Sequence, residues 1–136
     1  MIVRTTYRVI YGDTDCGEVM YYGNYLRVFE IGRTEWIRKL GIPYKEIEKR
    51  FGIILPVVEV FAKYKNPAFY DDLLEIETAL TEVKPLKLRF DYRIVCNANL
   101  LVMGYTVHVP IGPDLKARRL PVELYEILKN HMTTFP

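Results

Sequence analysis

The order of hydrophobic and polar residues divides this chain into a strand, a long helix and a series of later strands. Ile2 to Tyr11 is rich in β-branched and aromatic side chains, which is typical of a first strand. Gly41 and Pro43 indicate where the long helix ends. Before them, apolar residues recur every three or four positions, which predicts one face of a helix; they are Tyr25, Phe29, Gly32, Trp36 and Leu40.

An alternation of apolar and polar residues begins after Pro56 and predicts four strands in succession. The alternation is clearest from Leu86 to Ile94, where every second residue is charged. Asn97-Ala98-Asn99 predicts a tight turn between the last two strands. A short helix is predicted over Tyr44 to Phe51, and a last helix begins at Pro121.

These elements predict an α+β fold. Sequential strands with short connections pair antiparallel, and a single long helix has one sheet face to cover. We therefore expect residues 1–136 to form one domain in which an antiparallel sheet curves around the helix. Gly32 lies in the middle of the apolar helix face and would allow the sheet to approach closely.

The composition excludes several classes of function. Lys and Arg total 19 and Asp and Glu total 17, so the net charge of +2 lacks the basic excess typical of nucleic-acid binding. The sequence contains no Ser, which excludes a Ser-His-Asp hydrolase. Cys16 and Cys96 form no CxxC pair, and no spacing of His, Cys or carboxylates predicts a metal site.

Two stretches bear on the cellular location. The first fifteen residues lack the apolar core of a signal peptide. Ile94 to Pro113 carries no charge and is long enough to span a membrane, but its Gly, Pro and Asn residues divide it into a strand, a turn, a second strand and a loop. We therefore predict a cytoplasmic protein with no membrane span.

The turn before the long helix holds the residues best suited to chemistry, Asp13 and Asp15. A carboxylate near a helix start lies beside free backbone N–H groups and the positive end of the helix dipole. That arrangement suits a reaction in which a carbonyl oxygen gains negative charge. A solvated polar turn is an equally good interpretation of these residues alone, since turns favour Asp. Cys16 is a rival nucleophile, although we expect a small packed side chain there.

One long segment resembles the signature of the acyl-CoA thioesterases of the 4-hydroxybenzoyl-CoA thioesterase type, including the tol-pal-linked branch. It reads DTDCGEVMYYGNYLRVFEIGRTEWIRKLG. Other matching pieces follow in the family's order; they are Val57-Val58-Glu59, Tyr64 to Ala68, Asp71 to Ile76 and Arg119-Leu120-Pro121. The resemblance covers nearly the whole chain and implies the hotdog fold, in which a five-stranded antiparallel sheet wraps around the long helix.

The resemblance implies roles for residues of the turn and the helix start. Asp15 falls on the position of the family's catalytic carboxylate. The backbone N–H that polarises the thioester carbonyl falls on Tyr22 or Gly23. Asn24 and Tyr25 match the pair that opens the helix, and we expect them at the substrate.

Further positions bear on the substrate and the subfamily. Arg118 and Arg119 are candidates for binding the phosphates of coenzyme A, although a solvated basic loop is an equally good interpretation. Glu59 is a candidate for the cleft lining. Glu18 stands where the family commonly has Gly, and Tyr22 stands where the tol-pal-linked branch often has His, so the exact subfamily stays open.

Together these observations predict hydrolysis of a small or medium acyl-CoA, with Asp15 as the nucleophile or as a general base on water. The departing thiol has a pKa near 8.5, so it needs little assistance. The resemblance implies sites at a subunit interface, hence a homodimer or homotetramer, and no metal or organic cofactor. The alternatives are a non-catalytic acyl-CoA or acyl-carrier binding module and a partner in an envelope or lipid-synthesis complex.

Overall fold

The protein, described by a computed structural model over residues 1–136, has seven strands and three α-helices. The strands are β1 (Ile2–Arg8), β2 (Thr14–Asp15), β3 (Val19–Met20), β4 (Val57–Tyr64), β5 (Leu73–Lys84), β6 (Lys87–Cys96) and β7 (Asn99–His108). The helices are α1 (Asn24–Lys39), α2 (Tyr44–Phe51) and α3 (Val122–Asn130). Five strands form one antiparallel sheet in the order β1-β5-β6-β7-β4, while β2 and β3 form a separate small hairpin.

The core lies between α1 and one face of this sheet. In β6 every second residue is buried, as the alternating pattern predicts. Phe29 of α1 stacks on Tyr92 with ring centroids 4.3 Å apart, and Trp36 meets Phe90 edge-on at 5.4 Å. This packing of a helix on an antiparallel sheet confirms the predicted α+β arrangement.

The sheet and α1 approach each other most closely at Gly32. A Cβ atom at this position would lie 2.4 Å from Thr78 Oγ1 and 2.8 Å from Ile76 Cγ2. Both of those atoms are bonded directly to a strand residue's Cβ, so they cannot move aside and the helix would have to shift. The prediction that Gly32 allows a close approach is confirmed.

β4 differs from the other strands of the sheet because it is exposed along most of its length. It pairs with β7 along one edge, and its other edge carries no partner strand. Tyr64 faces α1, where its ring lies 5.4 Å from the ring of Tyr25, whereas Phe61 stacks on Tyr105 on the opposite face. We call this opposite face, which carries Phe61 and Tyr105, the outer face.

β1 is shorter than the sequence predicts. The strand ends at Arg8 instead of continuing to Tyr11, and Tyr11–Asp13 form a short 3-10 turn. The Asp13 carboxylate accepts a hydrogen bond from the Ile10 backbone N–H at 3.0 Å, which holds this turn closed.

α2 begins where the sequence predicts and α3 begins one residue later than predicted, so each starts directly after a proline. None of the helices combines the length and the apolar character that crossing a membrane requires. The cellular location of the protein stays a prediction.

Candidate active site

The segment between β1 and α1 folds into a hairpin that carries Asp15 at its tip. Asp15 of β2 pairs with Val19 of β3, and the two residues after Asp15 turn the chain back. Cys16 and Gly17 both have positive φ, at +54° and +78°. Cys16 is exposed in this turn. The expectation of a packed Cys16 side chain was therefore wrong, because a turn of this kind points its residues toward solvent.

Asp13 is buried and fully engaged. Its carboxylate accepts hydrogen bonds from the Tyr7 hydroxyl at 2.7 Å and from the Ile10 N–H, and it forms an ion pair with Arg27 of α1. Its backbone oxygen accepts the Tyr21 N–H at 2.8 Å. A buried carboxylate with three partners fixes the hairpin to α1 and is not presented to a substrate.

Asp15 is exposed and its carboxylate has no hydrogen-bond or ion-pair partner within the chain. The negative charge of Asp15 affects the neighbouring Tyr21. A hydrogen bond with Tyr22 is the main cause of the raised pKa of Tyr21, and the negative charge of Asp15 contributes to the same rise. Asp15 is thus an available carboxylate close to the residues that precede α1.

The start of α1 presents two unpaired backbone donors. The N–H groups of Tyr22 and Gly23 donate to no acceptor in the chain, as expected at a helix start. The Asn24 side chain donates to the Asp13 backbone oxygen at 2.9 Å, which holds the helix start against the hairpin. The positive end of the helix dipole adds to the attraction that these donors exert on an anion.

Tyrosine side chains join this helix start to the end of β4. The Tyr64 hydroxyl donates to the Tyr22 backbone oxygen at 3.1 Å, and the buried Tyr25 hydroxyl accepts the Ala68 N–H at 3.1 Å. A hollow of about 260 Å³ lies between them, with Lys65 at its side. The open edge of β4 is therefore held close to the candidate oxyanion donors.

A second cavity of about 270 Å³ lies beside α1, between this helix, α2 and the residues that lead into β4. Half of its lining is apolar, at Ile37, Ile54, Leu55, Pro56, Val57 and Phe90. The polar lining residues are Glu30, Arg33, Thr34, Tyr44, Glu48 and His108. The mixed lining suits a small acyl group that carries a polar substituent.

His108 is the buried polar residue of this cavity, and in the neutral state that its burial favours, the Leu55 carbonyl fixes which ring nitrogen carries the proton. Its Nδ1 lies 2.9 Å from the Leu55 carbonyl oxygen, to which it donates, and its Nε2 accepts from the Thr106 hydroxyl at 2.8 Å. The Tyr92 hydroxyl donates in turn to Thr106 at 2.6 Å. Burial lowers the pKa of His108 to about 4. Both of its ring nitrogens are engaged within the chain.

The other candidate residues lie on different elements. Glu59 lies on the outer face of the sheet, two residues from Phe61, and is not brought to Asp15. Arg118 packs over Gly112 and lies 3.7 Å from Asp114, while Arg119 is exposed without an ion pair. No group of three or more His, Cys, Asp or Glu side chains is placed to hold a metal ion.

Sequence reasoning missed Arg27, Tyr7 and the cavity beside α1. Arg27 falls on the polar side of the helix pattern, where a solvated residue is the ordinary expectation. A salt bridge to a residue before the helix leaves no periodic pattern in the sequence. An Arg in the first turn of a helix that follows an Asp-rich loop is the one sequence feature that could have predicted this ion pair.

Comparisons with known proteins agree with this architecture. A family model described as the thioesterase-like superfamily matches residues 9–128. An acyl-CoA thioester hydrolase of Escherichia coli is 34% identical over 122 residues, which cover 88% of this chain and 90% of that protein. A 1,4-dihydroxy-2-naphthoyl-CoA hydrolase of Synechococcus elongatus is 31% identical over 125 residues, which cover 90% of this chain and 92% of that protein.

Among solved structures, the 4-hydroxybenzoyl-CoA thioesterase of Pseudomonas sp. strain CBS-3 superposes with a TM-score of 0.83 at 24% identity. The superposition covers 93% of this chain and 98% of that one. At this identity the likeness bears on the fold, and it confirms the predicted hotdog fold.

Proposed function

The chain belongs to the thioesterase-like superfamily, and from this premise we propose that it hydrolyses the thioester bond of small or medium acyl-CoA molecules. The observation that carries the proposal is the pairing of an unengaged carboxylate, Asp15, with unpaired backbone donors at the start of α1. Placement in the tol-pal-linked branch stays a prediction.

We propose Asp15 as the catalytic carboxylate and Asp13 as the residue that positions its hairpin. Asp15 attacks the thioester carbonyl to give a mixed anhydride and a free thiol, after which water hydrolyses the anhydride. Alternatively, Asp15 accepts a proton from the water that attacks the carbonyl. In both routes the carbonyl oxygen becomes an anion, and the N–H groups of Tyr22 or Gly23 stabilise it by about 3–4 kcal/mol per donor.

We propose that two copies of the chain pair through the open edge of β4. An unpaired strand edge with exposed apolar side chains is a template for another strand. The exposed apolar residues of this strand are Val57, Val58, Val60, Phe61 and Tyr64. An antiparallel pairing with a two-fold axis at Phe61 places Glu59 of each copy opposite Lys63 of the other, so the charges of the strand complement each other.

This pairing makes the site a composite of two chains. With the axis at Phe61, Val57 of one copy falls beside Lys65 of the other. Val57 lines the cavity beside α1, whereas Lys65 lines the hollow at Tyr22 and the helix start. Each cavity then opens next to the Asp15 hairpin of the other copy, which supports the prediction of sites at a subunit interface.

We propose that the cavity beside α1 holds the acyl group. Its volume of about 270 Å³ favours a short or aromatic acyl group over a long aliphatic chain. The polar lining residues suit a hydroxylated ring, in line with the similarity to a 1,4-dihydroxy-2-naphthoyl-CoA hydrolase.

Arg118 and Arg119 are the proposed ligands of the coenzyme A phosphates. Their loop is tied to the cavity because Ile111 forms backbone bridges both to Ile54, which lines the cavity, and to Ala117. Arg119 lacks a carboxylate partner, which leaves its guanidinium free for a phosphate. The loop therefore lies near the cavity mouth, where the nucleotide end of the substrate would emerge.

The test is hydrolysis of a panel of acyl-CoA esters, monitored by release of free thiol. We expect the wild type to prefer aromatic and short acyl groups, and we expect Asp15→Asn to lower kcat/KM by about a hundredfold or more. Glu18→Gln is the matched control, because Glu18 is an exposed carboxylate in the same hairpin.

The outcomes separate the alternatives. Tight binding of acyl-CoA without turnover by the wild type would support the non-catalytic binding module. Equal losses in Asp15→Asn and Glu18→Gln would mean that Asp15 has no special role in the reaction.

A further inference from the structure

The cavity beside α1 contains hydroxyl groups whose protons have no acceptor within the chain. Thr34 and Tyr44 both line this cavity. The Tyr44 hydroxyl oxygen accepts the Leu55 N–H at 2.8 Å, which leaves its own proton free to be donated. The Thr34 hydroxyl is not among the threonine hydroxyls that form hydrogen bonds within the chain. A ligand in this cavity therefore meets two free O–H donors.

Arg33 adds a positive charge to these donors. Its side chain lines the same cavity and is only partly exposed, and it takes part in none of the ion pairs of the chain. Its charge acts on buried neighbours. Burial lowers the pKa of His108 to about 4, and the charge of Arg33 adds to this lowering. Burial raises the pKa of Tyr92, and the charge of Arg33 opposes that rise. The guanidinium therefore lies near the inner wall of the cavity.

Two carboxylates also line the cavity, on its exposed side. Glu30 and Glu48 are both exposed, and neither lies within ion-pair distance of Arg33. Water and dissolved ions screen exposed charges strongly, whereas a partly buried charge is screened much less. Arg33 therefore determines the potential at the inner wall, while Glu30 and Glu48 act where the cavity meets solvent.

The apolar half of the lining suits an aromatic ring. A cavity of about 150 Å³ is large enough for benzene. The volume of about 270 Å³ beside α1 therefore accommodates a ring that carries one substituent. With the ring against the apolar wall, the substituent would meet Arg33, Thr34 and Tyr44.

We propose that the acyl group of the substrate carries a carboxylate at its far end, and that Arg33 binds this carboxylate together with the Thr34 and Tyr44 hydroxyls. The inference rests on the proposed function, in which the cavity beside α1 holds the acyl group. A carboxylate matches a set of donors because its oxygens only accept hydrogen bonds, and it can accept two parallel bonds from a guanidinium. A hydroxyl group would also need an acceptor for its proton. Arg33 is thus the residue that determines specificity.

Titration calorimetry with three esters tests the proposal. They are 4-carboxybenzoyl-CoA, 4-hydroxybenzoyl-CoA and 4-methylbenzoyl-CoA, which share the ring and the coenzyme A. Binding is measured in the Asp15→Asn background, in which the proposed mechanism allows no rapid hydrolysis. We expect the carboxylate ester to bind about tenfold more tightly than the methyl ester, with the hydroxyl ester between them. The wild type should hydrolyse the three esters with kcat/KM values in the same order.

Variants of the cavity should change the binding of the carboxylate ester in opposite directions. Arg33→Gln should raise its dissociation constant about tenfold or more, since a charge-assisted contact is lost. The same variant should change the binding of the methyl ester by less than about twofold, because an uncharged substituent makes no such contact. Glu48→Gln removes a negative charge from the cavity and should tighten binding of the carboxylate ester. Arg38→Gln is the matched control, because Arg38 lies on the exposed side of α1 and pairs with Glu35.

Three results would overturn the carboxylate site. One is weaker binding of the carboxylate ester than of the hydroxyl or methyl ester. Another is an equal loss of affinity for all three esters in Arg33→Gln, which would mean that Arg33 only shapes the cavity. The third is the absence of binding by all three. Failure of the thioesterase proposal has a different signature, since the wild type would then hydrolyse none of the esters while the order of their affinities would still decide whether the carboxylate is bound.

Discussion

Asp13 and Asp15 have the same side chain and lie two positions apart, but their surroundings give them different roles. Asp13 is 2% exposed and is bonded to Tyr7, Ile10 and Arg27, whereas Asp15 is exposed and has no partner. A residue that is held by groups from β1, from the segment after it and from α1 organises the hairpin. A residue that is held by none is available to a substrate.

We predict that Asp13→Asn destabilises the fold while Asp15→Asn does not. The first change leaves Arg27 without its charge partner and weakens two further hydrogen bonds, so the free energy of unfolding should fall by about 1–3 kcal/mol. The second should change it by less than about 0.5 kcal/mol. Urea denaturation of both variants measures this, and similar losses in the two would contradict the division of roles.

His108 predicts a pH dependence of stability. Its folded pKa of about 4 lies below the ordinary value near 6.5, because burial disfavours the charged ring. The unfolded chain therefore takes up a proton at a higher pH than the folded protein. The contribution of His108 is complete above about pH 6.5 and is lost as the pH falls toward 4, by about 3 kcal/mol.

The measurement compares the free energy of unfolding of the wild type and His108→Asn at intervals between pH 7 and pH 4. Background carboxylates titrate equally in both proteins, so the difference between them isolates His108. We expect the wild type to lose its advantage over the variant steadily as the pH falls. An advantage that is constant across this range would show that His108 titrates normally in the fold.

At the scale of elements, β4 is the strand in which apolar residues are most exposed to solvent. Its apolar residues predict a buried strand, yet 42% of Val57 and 59% of Val58 are exposed in the single chain. Edge strands of stable monomers are usually protected by charges or bulges. The charges of β4, Glu59 and Lys63, instead stand at equal distances from Phe61, where they suit a second copy of the same strand.

We predict that the two charges of β4 determine the strength of the dimer. Glu59→Lys or Lys63→Glu alone places like charges opposite each other at two symmetric positions, so the dimer dissociation constant should rise about tenfold. The double variant, Glu59→Lys with Lys63→Glu, restores opposite charges and should recover most of the affinity. Sedimentation velocity at several concentrations measures this. Additive weakening in the double variant would rule out the register centred on Phe61.

The helices and strands were largely predictable because the burial of one face gives each of them a regular spacing of apolar residues. The apolar face of α1, the alternation in β6 and the stop at Gly41 are local signals, and each matches the structure. The end of β1 was not predictable in this way. It depends on Asp13 bonding to Tyr7 and Arg27, and contacts between distant residues leave no period in the sequence.

At the scale of the whole molecule, the Asp15 hairpin and the helix start could be predicted because they lie within one short segment. The cavity beside α1 could not, because its lining comes from two helices, β6, β7 and the residues before β4. Only the folded chain brings these pieces together. The dimer proposal adds a further step, since each cavity then serves the hairpin of the other copy.

The composite site predicts complementation between two inactive variants. Asp15→Asn removes the carboxylate, and Ile54→Trp fills the cavity beside α1, so each homodimer should be inactive. In a mixed dimer, one site receives both changes and the other receives neither, because carboxylate and cavity come from different copies. Random assembly of equal amounts makes half the dimers mixed, with one intact site each, so activity should recover to about a quarter of the wild type.

The control is a mixture of Asp15→Asn with the double variant Asp15→Asn/Ile54→Trp, which should stay inactive. No recovery in the first mixture, with mixed dimers verified by mass spectrometry, would mean that each chain supplies its own carboxylate and its own cavity.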